Sequence, residues 1–250
     1  TLAGGSSSGR RQSVPELPEV ETIVRGLQQR VPGATINKVS VKHPNVILAD
    51  SPAKFQKSLR GRRIDSVQRR AKNIVIALDD ASTLVINLGM TGKVVATDAK
   101  RAGEYTHVAV RFDFDDGRVM LYDDIRRFGR LEHFAPEHWA RRALEFGVEP
   151  LSDEFTATRL YELTRLSISP IRNWLLDPYR VAGVGNIYAN EALFRAGIRP
   201  TRRANTLKRA RAERPLHRSD DKLDIVFVTS DRYPPLRPAA KAGFSEGPAA

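Results

Sequence analysis

The 250-residue sequence contains no cysteine. This absence excludes disulfide bonds, thiolate catalysis and every zinc site built from cysteine ligands. No apolar run approaches the roughly 18 residues that a membrane helix needs, and residues 1–13 lack the apolar core of a secretory signal. The sequence therefore predicts a cytoplasmic protein that has no membrane partner.

Positive charge is in clear excess. The chain has 41 Lys and Arg against 29 Asp and Glu, which gives a formal net charge of +12. Such a balance favours a polyanionic partner, either nucleic acid or anionic lipid. The length is sufficient for one large or two modest domains with hydrophobic cores.

Residues 15–148 have the pattern of a mostly β domain. Val20, Ile23, Val24 and Leu27 have the spacing of an amphipathic helix, and PAKFQKSLRG suits a second, short helix. Between residues 35 and 134 apolar residues recur with period two in short runs joined by turns. We predict an α+β protein that begins with an antiparallel β-sandwich flanked by helices, preceded by a flexible, Gly- and Ser-rich leader over residues 1–14.

Residues 149–210 have the pattern of an all-helical domain. Ser152 is a candidate N-cap, and Phe155, Leu160, Leu163 and Leu166 supply an apolar stripe. The segments PIRNWLLD and IYANEALFRAG follow, separated by the glycine-containing turn VAGVGN. Residues 211–250 lose this periodicity, and their composition predicts a disordered tail.

By composition alone, PELPEVETIVRGL is a helix N-terminus with acidic residues and proline in its first turn. It also resembles the amino terminus of the formamidopyrimidine-DNA glycosylases, a family of bacterial base-excision enzymes that remove oxidised purines. Five further segments resemble the same family in the same order and bring the match to about residue 200: RRAKNIVIAL, NLGMTG, DDIRRFGRLE, GVEPLSDEF and VAGVGNIYANEALFRAGIRP. The resemblance implies a catalytic sandwich over residues 15–148 and a truncated helix-two-turn-helix DNA-binding domain over residues 149–210.

The resemblance also implies a catalytic group. In the family, an N-terminal proline amine attacks the sugar C1′ and forms a Schiff base, after which base loss and β- and δ-elimination follow. The matching position is Pro15; Glu16 would be the general acid that protonates the ring oxygen, and Glu19 would support the site. Lys72 would contact the phosphate that flanks the lesion.

Further DNA contacts are implied in both domains. Met90, Arg126 and Phe128 would enter the duplex where the damaged nucleotide is extruded, with Arg127 beside them as a backbone contact or a structural charge. Asn186, at a helix start, would serve as an N-cap and contact the DNA backbone. Arg172 stands where the family commonly has Lys, which keeps the charge but changes its geometry.

The chain departs from the family pattern at both ends. Fourteen residues precede Pro15, and a proline within a peptide bond is a tertiary amide without a nucleophilic lone pair. We expect Val14 to be the translation start, read from a GTG codon, so that maturation would expose Pro15. The family's C-terminal four-cysteine zinc finger has no counterpart, so no metal or other cofactor is expected, and a frameshift or a genuine loss would explain the divergence after about residue 205.

The expected activity is that of a bifunctional DNA glycosylase and AP lyase that excises 8-oxoguanine and formamidopyrimidines. Its expected partner is damaged double-stranded DNA, bound by a monomer in the cytoplasm of a bacterium, at the nucleoid. Two alternatives remain open: an inactive DNA-binding remnant of the family, and an endonuclease VIII-like glycosylase for oxidised pyrimidines. The run Leu-Pro-Glu-Val-Glu-Thr after Glu16 argues against the second.

Overall fold

The computed structural model describes residues 14–207. The predicted leader, except for Val14, and the predicted tail over residues 211–250 lie outside the described residues, as do residues 208–210.

The first part of the fold consists of two helices and eight strands within the described residues. In chain order they are α1 (Leu17–Gln28), β1 (Ile36–Val41), α2 (Pro52–Leu59), β2 (Ile64–Arg70), β3 (Asn73–Leu78), β4 (Thr83–Asn87), β5 (Lys93–Asp98), β6 (Val108–Phe114), β7 (Arg118–Asp123) and β8 (Arg130–Phe134). The strands form two four-stranded sheets, in the orders β1-β6-β7-β5 and β2-β3-β4-β8, and all their pairings are antiparallel. The predicted α+β class with an antiparallel sandwich is confirmed.

The sandwich core follows from the period-two pattern of the strands, because alternate side chains point to the same face. Ile74 and Ile76 of β3 are fully buried, as are Phe112 of β6 and Tyr122 of β7. Helix α1 packs against this core through the spacing that the sequence predicts: Val20, Val24 and Leu27 are buried, while Ile23 is only partly buried.

The second part of the fold is helical. It follows α3 (His138–Leu144), whose Trp139 ring centroid lies 5.5 Å from that of the Phe134 ring of β8. Its helices are α4 (Ala157–Arg165), α5 (Ile171–Leu176) and α6 (Asn186–Arg195). They enclose a second core that contains Trp174, Leu175 and Leu193. Leu17, the first residue of α1, belongs to this second core and not to the sandwich core. One helix therefore packs into both halves of the molecule.

The predicted start of α4 is wrong. Thr156 is its N-cap, and the Thr156 hydroxyl accepts a hydrogen bond of 3.1 Å from the backbone N–H of Arg159. Ser152 instead donates its hydroxyl to the Glu149 carbonyl at 2.9 Å, within a turn that precedes the helix. Leu166 lies beyond the end of α4 and is 87% exposed, so it does not belong to the apolar stripe.

Among residues 14–207, every helix is too short or too polar to cross a bilayer.

Two phenylalanines provide a test of where the stability lies. Replacing the fully buried Phe112 by alanine is expected to lower the free energy of unfolding by about 3–5 kcal/mol, because the change removes core contacts and leaves a cavity. The matched control is Phe128→Ala: Phe128 is 51% exposed, and its loss is expected to cost less than about 1 kcal/mol. Equilibrium unfolding in urea measures both values, and equal losses in the two variants would contradict the assignment of the core.

Candidate functional site

Glu16 lies at the junction of the two halves of the protein. It is the N-cap of α1 and is 3% exposed. Its carboxylate accepts three backbone N–H bonds from the start of α6: from Gly185 at 3.0 Å, Ile187 at 2.9 Å and Tyr188 at 3.2 Å. A helix N-terminus offers unpaired N–H groups and a positive dipole end, so it is well suited to a buried carboxylate.

Gly185 permits this contact. A Cβ atom at this position would lie 2.2 Å from the carboxyl carbon of Glu16, so only glycine leaves room for the side chain. The sequence predicts that the backbone N–H groups near the glycines of VAGVGN bind an anion. In the structure, these N–H groups donate to the carboxylate of Glu16. The specific need for glycine at residue 185 has no local signal, because Glu16 is 169 residues away.

Pro15, Glu16, Glu19 and Lys72 form one cluster, which we call the Pro15 cluster. Glu19 accepts the backbone N–H of Glu16 at 3.0 Å and the hydroxyl of Tyr188 at 3.2 Å. Pro15 and Lys72 are half-buried. Burial lowers the pKa of the Lys72 ammonium from its ordinary value, while the negative charges of Glu16 and Glu19 act in the opposite direction.

Lys72 is held in place by its neighbours in the turn between β2 and β3. Ala71 has a left-handed backbone, with φ of 54°, and its N–H donates to Glu149 at 2.7 Å. The same carboxylate pairs with Arg69 at 2.7 Å and with Arg70 at 2.9 Å. Arg69 and Arg70 are therefore structural charges, and Glu149, which sequence reasoning did not single out, fixes the turn that carries Lys72.

Met90, Arg126 and Phe128 come together on two adjoining loops, which we call the Met90 turn (residues 88–92) and the Arg126 loop (residues 124–129). Gly89 has φ of 59°, and a Cβ atom there would lie 2.6 Å from the carbonyl carbon of Phe128. The Arg126 guanidinium lies over the Phe128 ring, 4.6 Å from its centroid. Arg126 and Phe128 are exposed and Met90 is half-buried, so an apolar side chain and a stacked cation are open to a ligand.

Arg127 differs from its neighbours in the Arg126 loop. Its backbone is left-handed, with φ of 55°, and its side chain is half-buried. Its Nε atom is buried and has no hydrogen-bond partner among residues 14–207.

Arg172 and Asn186 contact each other in the helical half. Arg172 donates to the side-chain oxygen of Asn186 at 2.9 Å and to that of Asn190 at 2.9 Å. The predicted N-cap role of Asn186 is wrong: Gly185 is the N-cap, Asn186 is the first residue of α6, and its side chain binds Arg172. The contact with Asn190 was not predicted, although residues 186 and 190 share a helix face by their spacing.

The residues present do not fit the zinc site of the related family. The chain contains no cysteine, so a four-cysteine site cannot be built from it. Within the described range 14–207, the structure places no group of three or more His, Asp or Glu side chains where it could hold a metal ion.

Comparison with known proteins identifies relatives for both halves. A family model for the formamidopyrimidine-DNA glycosylase N-terminal domain matches residues 14–131, and one for the H2TH domain of the same enzymes matches residues 146–223. Formamidopyrimidine-DNA glycosylase of Chloroflexus aggregans is 40% identical over 78% of this chain and 70% of its own length.

Solved structures show the same likeness. The Lactococcus lactis formamidopyrimidine-DNA glycosylase bound non-covalently to DNA containing an AP site is similar, with a TM-score of 0.71 and 30% identity over 78% of this chain and 75% of that one. The complex of the L. lactis enzyme with DNA containing FAPY-dG has a TM-score of 0.71 and 30% identity over 78% of this chain and 73% of that one.

The contact between Gly185 and Glu16 leads to a stability prediction. Gly185→Ala is expected to lower the free energy of unfolding by about 1–3 kcal/mol, because the added methyl group must displace the Glu16 carboxylate from its N–H donors. Gly26→Ala is the matched control: Gly26 is exposed near the end of α1, nothing lies within 4 Å of an added Cβ, and alanine there is expected to add up to about 1 kcal/mol. Thermal or urea unfolding of both variants measures the difference. A neutral Gly185→Ala change would contradict this close approach.

Proposed function

Because the chain belongs to the formamidopyrimidine-DNA glycosylase family, whose members are DNA glycosylases of base-excision repair, we propose that it excises oxidised purines through a Schiff base on Pro15. The proposed substrates are 8-oxoguanine and formamidopyrimidines in duplex DNA. The observation that carries the proposal is the Pro15 cluster: Glu16, next to Pro15 in the chain, is bonded to Glu19 through its backbone N–H, and both carboxylates act electrostatically on the half-buried Lys72 ammonium. The reaction uses these side chains and no cofactor.

The chemistry follows from a free secondary amine at Pro15. Its lone pair attacks C1′ of the damaged nucleotide, and the base leaves with the electron pair of the glycosidic bond. The departing base takes a proton from water. The Glu16 carboxylate accepts the proton that the Pro15 nitrogen loses and passes it to the deoxyribose ring oxygen as the ring opens, which gives an iminium ion between Pro15 and C1′. Loss of a proton from C2′ expels the 3′ phosphate, and the δ-elimination that follows expels the 5′ phosphate. A free α-amino group titrates at about pH 7.7–8.0, so a useful fraction is unprotonated at neutral pH.

Lys72 is proposed to bind the phosphate that flanks the lesion. No ion pair of Lys72 within 4.0 Å occurs in the described part of the chain, although Glu16 and Glu19 are near enough to influence its charge. An ammonium group on a flexible stem can follow the phosphate as the nucleotide leaves the stack.

Met90, Arg126 and Phe128 are proposed to fill the gap left by the extruded nucleotide. Extrusion costs a few kcal/mol of stacking and pairing, and an inserted apolar side chain with an arginine bonded to the orphaned base offsets that cost. The exposure of Phe128 and its stack with Arg126 support this role, because a half-exposed aromatic contributes little to the fold.

The remaining contacts are proposed to follow the DNA backbone. Asn186 is the first residue of α6 and binds the side chain of Arg172 from α5, and Arg127 lies beside the proposed inserted group. The proposed partner is damaged double-stranded DNA, bound by a monomer on the bacterial chromosome. The complexes of the L. lactis enzyme with AP-site and FAPY-dG DNA support this partner.

One observation favours a different function. In the 250-residue chain, Pro15 is joined to Val14 by a peptide bond, and in that form the protein is expected to bind damaged DNA without cleaving it. We propose a sandwich domain over residues 15–148 and a helical domain from residue 149. We assign the activity to a form of the protein that begins at Pro15.

Borohydride trapping tests the proposed mechanism. A protein that begins at Pro15 is expected to form a covalent complex with a duplex that contains 8-oxoguanine, because borohydride reduces the Schiff base to a stable amine. The chain with Val14 attached is the matched control, and it is expected to bind the same duplex without being trapped. Denaturing gel electrophoresis measures the complex. Trapping of both forms at equal yield would contradict Pro15 as the nucleophile, and trapping of neither would favour the DNA-binding remnant. A duplex with an oxidised pyrimidine tests the endonuclease VIII-like alternative.

Salt dependence tests the proposed role of Lys72. Each phosphate contact that a protein loses reduces the slope of log K against log salt by about 0.9. Lys72→Met is therefore expected to reduce the slope by about this amount and to weaken binding equally for different sequences around the lesion. Lys57→Met, at an exposed lysine of α2, makes the same change of charge and is expected to leave the slope unchanged. Fluorescence anisotropy at several salt concentrations measures it, and an unchanged slope for Lys72→Met would remove Lys72 from the phosphate contacts.

A further inference from the structure

Asp124 is a fully buried acid that the proposed chemistry does not use. It is 0% exposed, and its two carboxylate oxygens accept hydrogen bonds from four groups. One oxygen accepts the Tyr122 hydroxyl at 2.8 Å and the Gly129 N–H at 3.1 Å. The other accepts the Thr91 hydroxyl and the Arg126 N–H at 3.2 Å.

These four donors come from three segments of the chain. Tyr122 belongs to β7, Thr91 follows Met90 in the Met90 turn, and Arg126 and Gly129 flank Phe128 in the Arg126 loop. The Thr91 hydroxyl also accepts the Arg126 N–H at 3.1 Å. Asp124 and Thr91 therefore join the loop that carries Met90 to the loop that carries Arg126 and Phe128.

The charge state of Asp124 suits this role. Burial alone would raise its pKa, but the bonds from Thr91, Gly129 and Tyr122 outweigh burial and lower the pKa of the carboxyl group from its ordinary value. The carboxylate form, which accepts at both oxygens, is thus the one present at neutral pH.

We propose that Asp124, together with Thr91, is a positioning residue that fixes Met90 relative to Arg126 and Phe128, so that the three side chains enter the duplex as one group. The proposal rests on the proposed function of these three residues. The gap that an extruded nucleotide leaves has a fixed shape, and a site that must match it gains from side chains whose supports are rigid before DNA binds.

Asn and Val substitutions separate this role from a general loss of stability. Asp124→Asn removes the charge and turns one acceptor into a donor that faces N–H or O–H groups. Thr91→Val keeps the shape of the side chain but cuts the link between the two loops. Thr91→Ser keeps the hydroxyl and is the conservative variant. Tyr122→Phe is the matched control, because it removes one bond to the same carboxylate from β7 and leaves both loops bonded to Asp124.

The measurement is the preference for a duplex with a tetrahydrofuran abasic analogue over the same undamaged duplex, by fluorescence anisotropy at one fixed salt concentration. It needs no free amine at Pro15, so the full chain is suitable. In Asp124→Asn and Thr91→Val, the ratio of the two affinities is expected to fall at least about fivefold. Their affinity for undamaged DNA is expected to stay within about twofold of that of the parent protein. Thr91→Ser and Tyr122→Phe are expected to keep the preference. A 2-aminopurine opposite the analogue reports in parallel whether the orphaned base is contacted.

The possible outcomes separate the positioning role from a loss of stability and from a failure of the proposed function. Loss of preference in Thr91→Val with retention in Thr91→Ser and Tyr122→Phe supports the positioning role, even where Asp124→Asn does not fold. A folded Thr91→Val that keeps the preference within about twofold overturns it and leaves the proposed function intact. Equal losses in Tyr122→Phe and Thr91→Val also overturn it, since they would reflect stability alone. A parent protein without any preference for the abasic analogue would contradict the proposed function itself.

Discussion

The negative charge of Glu16 is the constraint on which the junction of the protein depends. A carboxylate removed from water is costly unless several donors surround it. Glu16 begins a helix of the sandwich half, but the backbone N–H groups that satisfy its side chain belong to α6 of the helical half. Leu17, the next residue, packs into the helical core. The environment of Pro15 is consequently complete only when both halves are docked, so the site and the interdomain contact are formed by the same bonds.

Side-chain hydrogen bonds add to strand pairing in connecting the loops that carry the remaining candidate site residues. Glu149 holds the turn that bears Lys72 through the N–H of Ala71. Two amides then lead to the Met90 turn: Asn87 donates to Asn73 at 3.0 Å and accepts the N–H of Gly89 at 3.0 Å. Asp124 continues from there to the Arg126 loop. Because hydrogen-bonded loops that lie side by side cannot shift independently, a substitution that displaces one turn is expected to displace the next one as well.

The sequence predicted what depends on neighbours along the chain. The spacing of Val20, Val24 and Leu27 identified α1, and alternation identified the strands, because both periods are local properties of the backbone. The motifs also indicated which side chains belong to the candidate site. Roles set by distant partners were not predictable: Gly185 is required by a side chain 169 residues away, and Arg69 is neutralised by Glu149, 80 residues away. The N-cap of α4 was misplaced because Ser152 and Thr156 are equally good candidates until the turn between them is known.

The net charge of +12 does not show which basic residues are free to bind a ligand, because some of them are paired with carboxylates that lie far away in the sequence. Arg69 and Arg70 stand beside Lys72 in the sequence, but their charges are matched inside the protein by Glu21 and Glu149. Within residues 14–207, Lys72, Arg126 and Arg172 have no carboxylate within 4.0 Å. A cation that already has a carboxylate partner gains little from binding a phosphate, because the phosphate must displace that partner. A cation that contacts only amide oxygens or an aromatic ring keeps its charge available for a phosphate. We therefore expect the attraction for DNA to depend on which cations the fold leaves unmatched, in addition to the net charge.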